Sequence, residues 1–87
     1  MMSANMKAAI HIYTDDFAYV WGFEDGTAIQ PQAIGNLGVD AWAVYLEGYL
    51  DGLRITMPTL APRGRYIAES YRASALALAV VLEELRA

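Results

Sequence analysis

Phe17-Ala18-Tyr19-Val20-Trp21-Gly22-Phe23-Glu24-Asp25-Gly26-Thr27 is the stretch on which the fold turns. At a period of two it puts Phe17, Tyr19, Trp21 and Phe23 on one face and Ala18, Val20 and Gly22 on the other, as in a half-buried strand. An Asp-Gly pair after such a run, here Asp25-Gly26, predicts a tight hairpin turn. Residues 27–30 then read as a further strand, stopped at Pro31, which has no proton to give a ladder. Upstream, residues 7–13 also alternate, with Ile10 and Ile12 on one side and His11 and Tyr13 on the other. Thr14-Asp15-Asp16 reads as the turn between these two strands. The start of the chain is therefore expected to be a three-stranded antiparallel meander.

Downstream the period changes to that of a helix. Residues 32–39, with two glycines and an asparagine, read as a loop, and Asp40 as a cap. Trp42, Leu46, Tyr49 and Leu53 share one helical face, and Glu47, Asp51 and Arg54 line the opposite side. Gly48 and Gly52 cost about 1 kcal/mol each relative to alanine inside a helix. Four apart on one face, they let another backbone come close. Pro58, Pro62 and Gly64 mark a connection, and a second helix is expected from about residue 62 to 85. Its first half is amphipathic, with Arg65, Glu69 and Arg72 at helical spacing, and its second half is apolar nearly all round. No internal repeat, low-complexity tract or linker to a second domain stands out. The predicted fold is α+β: one domain over residues 1–87, a three-stranded antiparallel β-meander packed on one face by two α-helices, in the order β-β-β-α-α.

The composition fits a dense core. The chain has 87 residues, 56% hydrophobic, which is too short for a multi-domain enzyme and too apolar for disorder. It has no cysteine, so a disulfide framework, a thiolate nucleophile and a thiolate zinc site are excluded. The longest apolar run, residues 73–82, is about half of the ~20 residues a spanning helix needs. The N-terminus lacks the pattern of a secretory signal. A cytoplasmic protein without membrane contact is expected.

The net charge of -4 conceals a division. Residues 8–53 hold seven acids, Asp15, Asp16, Glu24, Asp25, Asp40, Glu47 and Asp51, and no lysine or arginine. The remainder holds five arginines and three acids beyond that block, with Lys7 before it. Such a block disfavours direct nucleic-acid binding, whose affinity comes largely from phosphate contacts. It favours a basic protein partner.

Catalytic constellations are sparse. His11 is the single histidine, and neither a triad nor a histidine metal site can be built around it alone. The pairs Asp15-Asp16 and Glu24-Asp25 stand at opposite ends of the expected second strand, about 20 Å apart, too far to form one site. The aromatic row has no interleaved lysine or arginine, so it reads as core packing rather than a base-stacking face. Arg63-Gly64-Arg65, with Arg54, is the only basic cluster, and residues 35–38 lack the spacing and lysine of a phosphate loop. No enzyme activity, cofactor or metal is expected.

Residues 15–25, followed by the helix over residues 40–53, resemble the partial RNase H-like domain of HicB-type antitoxins. The family's Leu-Pro-Gly-Cys type of turn and its separate DNA-binding module are missing. As a type, a small, acidic, cysteine-free single domain is similar to phage-encoded inhibitors such as anti-CRISPR proteins, which share no motif that could be carried over. That likeness implies a non-catalytic protein-binding domain that blocks a basic, nucleic-acid-binding surface of a host protein complex, with Asp15, Asp16, Glu24, Asp25, Glu47 and Asp51 as contacts. The alternative is an antitoxin or regulatory module that binds a toxin. Residues 75–85 are too apolar for a surface helix, so either the sheet or a second chain, in a homodimer, is expected to cover them.

Overall fold

The computed structural model describes residues 15–32 and 37–86, and within them the chain is all helical, with no strand. Helix α1 spans Asp15–Thr27, α2 spans Val39–Thr56 and α3 spans Pro62–Arg86, with a single 3-10 turn at Met57–Thr59 before α3. The expected α+β fold is thereby overturned: the aromatic stretch and its Asp-Gly pair lie inside α1. The reading of residues 7–13 as a strand, and the assignment of His11, lie outside the described residues.

The physical reason is a second periodicity in the same residues. Ala18, Gly22 and Gly26 recur four apart, and all three are buried. As a helix, α1 presents these small residues as a groove, with Tyr19 and Phe23 stacked on its border at 6.4 Å between rings. A strand would have gathered Phe17, Tyr19, Trp21 and Phe23 on one buried face. Instead Phe17 is exposed, as is Val20.

Into that groove goes α2, whose Gly48 and Gly52 are also buried. A methyl at Gly22 would run into the backbone carbonyl of Tyr45, and one at Gly48 into that of Tyr19. Gly26 faces the Tyr49 carbonyl and Gly52 the Phe23 carbonyl in the same way. The close backbone approach suggested by Gly48 and Gly52 is therefore found, against a helix rather than a sheet. The residue numbers of the contacts rise together along both helices, so α1 and α2 run parallel.

These four contacts are related by an exact shift of residue number, and so is the sequence beneath them. Tyr19-Val20-Trp21-Gly22-Phe23-Glu24-Asp25-Gly26 matches Tyr45-Leu46-Glu47-Gly48-Tyr49-Leu50-Asp51-Gly52 as Tyr-x-x-Gly-aromatic-x-Asp-Gly. The chain does carry an internal repeat, contrary to expectation. The two copies form a pseudo-symmetric pair of parallel helices.

Helix α1 ends in a turn that reverses the chain. The Gln30 amide donates to the Asp25 carbonyl and the Ile29 amide to that of Gly26, with Ile29 at φ 53°. This is the Schellman arrangement, normally closed by glycine, and a β-branched residue there is strained. At the far end of α2, the 3-10 turn takes Pro58, and Pro62 opens α3 at a position where a missing amide proton costs nothing.

Helix α3 runs back antiparallel to α2, with Arg86 Nε paired to Asp40 Oδ1 at 2.9 Å. Its buried residues are Ala68, Ala75 and Leu82, seven apart, with Tyr71 and Leu78 half-buried between them. The core centres on α2, whose Tyr45, Leu46, Tyr49 and Leu53 are its largest fully buried side chains. With α1 and α3 each packed on α2, the described residues fill a slab of 37 × 32 × 17 Å. No described helix is long and apolar enough to cross a membrane.

Candidate functional site

The two repeats place a tyrosine and an aspartate on each helix, and each tyrosine reaches the other helix's aspartate. Tyr19 donates to Asp51 Oδ2 at 2.6 Å, and Tyr45 donates to Asp25 Oδ2 at 2.7 Å. Asp51 also lies 3.6 Å from Arg54. The Tyr19 phenol is held above its ordinary pKa, first by its hydrogen bond to Asp51, then by desolvation and by the Asp51 charge, with Arg54 opposing. Ring packing follows the same symmetry: Tyr45 stacks on Tyr49 at 5.9 Å as Tyr19 does on Phe23.

The repeats differ at one matched position. Tyr49 stands where the first repeat has Phe23, and its hydroxyl donates to the Gln30 carbonyl at 2.6 Å. This bond ties the segment after α1 to the middle of α2. Burial pushes the Tyr49 phenol up to about 12, with Tyr71 and Asp25 adding to the effect.

The structure thus divides the six predicted contact residues. Asp25 and Asp51 are acceptors in the crossed Tyr–Asp bonds that hold α1 to α2, and Glu24 is half-buried near the C-terminal end of α1. Asp15 and Asp16 form the first turn of α1, and Glu47 is exposed on α2. The two acidic pairs stand toward the two ends of a helix, not at the ends of a strand.

A different charge grouping comes from helix direction. Because α1 and α2 are parallel and α3 is antiparallel to them, one end of the slab gathers the start of α1, the start of α2 and the finish of α3. Asp40, Glu83 and Glu84 belong to this end, where α1 also begins at Asp15, with Arg86 as the one described cation there, and Glu47 lies midway along α2. Glu47 and Glu83 both line a groove of about 300 Å³ that also includes Ala43, Ala79 and Arg86. The other end mixes Glu24, Asp25, Asp51 and Glu69 with Arg54, Arg63, Arg65 and Arg72. A cleft of about 350 Å³ there is bordered by Arg54, Arg72, Leu50, Met57 and Leu76.

Sequence reasoning used Asp40 as a cap and left Glu83 and Glu84 out of the acidic block because they sit in the arginine-bearing half. The cap in fact lies two residues earlier, at Gly38, and Asp40 is in the first turn of the helix. The antiparallel return of α3 is the signal that brings the two halves together. Among the described residues, no group of three or more histidine, cysteine, aspartate or glutamate side chains is placed to hold a metal ion. No protein-family model, curated protein or solved structure matches the chain.

Proposed function

We propose that this chain is a non-catalytic protein-binding module that covers a basic, nucleic-acid-binding surface of a partner complex, an inhibitor of the anti-CRISPR kind, through its acidic end. The observation that supports the reading is the gathering of Asp40, Glu83 and Glu84, with Arg86 as the one described cation, at the end of a three-helix slab where α1 also begins. Asp40 lies in the first turn of α2, where the helix dipole stabilises it. Glu83 and Glu84 lie in the last turn of α3, where the dipole opposes them. Fold stability alone gives no reason for those two, whereas a basic partner does. The contact set becomes Asp15, Asp16, Asp40, Glu47, Glu83 and Glu84.

The test is capture of partners from the native host, followed by competition. A captured protein should lose nucleic-acid binding when the chain is added. Glu47→Lys with Glu83→Lys should slow association and flatten its salt dependence. Unchanged association in that variant, or a ternary complex with nucleic acid, would overturn the reading.

The exposed apolar residues of α3, Tyr66, Ile67, Leu76, Val80, Val81 and Leu85, favour a second reading. In it the chain is an antitoxin-like regulatory module that binds a toxin and dimerises through its last helix. An adjacent toxin gene whose product is neutralised by the chain would decide for it.

A further inference from the structure

We propose that two copies of this chain pair antiparallel along the outer face of α3. The helix carries two seams. Ala68, Tyr71, Ala75, Leu78 and Leu82, spaced alternately three and four apart, pack on α2. On the opposite side Tyr66, Ser70, Ala73, Ala77, Val80 and Glu84 repeat the same spacing, and every one of them is exposed. Alternation of three and four is the spacing that keeps a seam facing a partner helix. Ser70, Ala73 and Ala77 make its middle narrow enough for close approach, and Ile67, Leu76 and Val81 flank it with further exposed apolar surface.

The occupant is fixed by the ends of the seam. One turn before Tyr66 the seam carries Arg63, and its other end carries Glu84. A parallel pair would set Arg63 against Arg63 and Glu84 against Glu84. An antiparallel pair centred near Ala75 sets Ala73 opposite Ala77 and Ser70 opposite Val80, and brings Glu84 of each copy to Arg63 and the Tyr66 hydroxyl of the other. The rest of the molecule agrees, since the acidic end of each copy then lies beside the end that carries Arg54, Arg63, Arg65 and Arg72. The pairing shares only Glu84 with the contacts proposed for the basic partner, because Asp15, Asp16, Asp40 and Glu47 are not on α3 and Glu83 is not on the seam.

Sedimentation equilibrium of the full chain should give a dimer in the micromolar range. Ala77→Glu should weaken it by at least about tenfold, because it buries a charge at the centre of the seam. Arg63→Glu and Glu84→Arg should each weaken it, and the two changes combined should restore it. The chain has no cysteine, so single cysteines report direction cleanly. Ser70→Cys mixed with Val80→Cys should cross-link to each other, and neither should cross-link to itself. A chain that stays monomeric to high micromolar concentration overturns the proposal. So does Ser70→Cys linking to itself, or a dimer indifferent to Ala77→Glu while helical content is unchanged.

Discussion

The hydroxyl of Tyr45, on a fully buried ring of α2, donates to Asp25 Oδ2 at 2.7 Å, and Tyr19 makes the matching bond to Asp51 in the reverse direction. Two parallel helices are thus latched twice by the same pair of residue types. Between the latches lie the glycines whose absent side chains allow the approach.

Tyr45→Phe should therefore destabilise the fold by about 1.5–3 kcal/mol, the range for a hydrogen bond to a charged group. Tyr19→Phe should cost less, because Tyr19 is only half-buried and water can replace its bond. Urea titrations of both variants check the order. If the effects are equal, or Tyr19→Phe is the worse, the latches are not weighted by burial as the structure indicates.

Gly22→Ala and Gly48→Ala should each cost about 3 kcal/mol or more, because the new methyl meets backbone of the facing helix and only a shift of a whole helix relieves it. Gly64→Ala is the control. Its methyl would lie 3.6 Å from Leu60 Cβ, an ordinary contact, and alanine is the better helix former by up to about 1 kcal/mol. Thermal melts should place Gly64→Ala at or above the parent and the other two well below it.

The repeat explains how much of this was legible. Residues 42–53 were readable as a helix because Trp42, Leu46, Tyr49 and Leu53 form one apolar face. Residues 17–27 carry the same Tyr-x-x-Gly-aromatic-x-Asp-Gly pattern, yet the alternation of four aromatics mimics a strand. Asp25-Gly26, taken alone, mimics a hairpin turn. Aligning the two segments resolves the conflict, since two copies of one motif are expected to fold alike. The charge division was legible along the chain, but its placement in space was not. Whether Glu83 and Glu84 join Asp40 or Asp51 depends on the direction of α3, which residue spacing does not encode.

Alkaline pH should probe the Tyr49 site. In the unfolded chain the phenol ionises near its ordinary 10.0, whereas burial holds it at about 12 in the fold. Above pH 10 the unfolded state sheds the proton first. The stabilisation is thus complete below pH 10, falls as pH rises, and is gone above about pH 12. Tyr49→Phe should remove this component, so its stability should change less than the parent's between about pH 9 and about pH 11. The same variant releases the Gln30 carbonyl, and hydrogen exchange at the Gln30 amide, which donates to the Asp25 carbonyl, should quicken. An unaltered alkaline response in Tyr49→Phe would assign that response to other groups.

Glu83 offers a way to separate stability from function. It lies in the last turn of α3, at the negative end of the helix dipole, and lines the same groove as Glu47. Both neighbours oppose its charge, and Arg86 at the same groove is the one described cation near it. Glu83→Gln should therefore stabilise the fold by about 0.5 kcal/mol at low salt, and the gain should shrink as salt screens it. The same change should weaken binding to a basic partner. A gain in stability joined to a loss of binding would mark Glu83 as a residue whose charge serves the contact. A loss of stability would instead mean that Arg86 outweighs both opposing charges, and that the acidic end is held together by its own ion pairs.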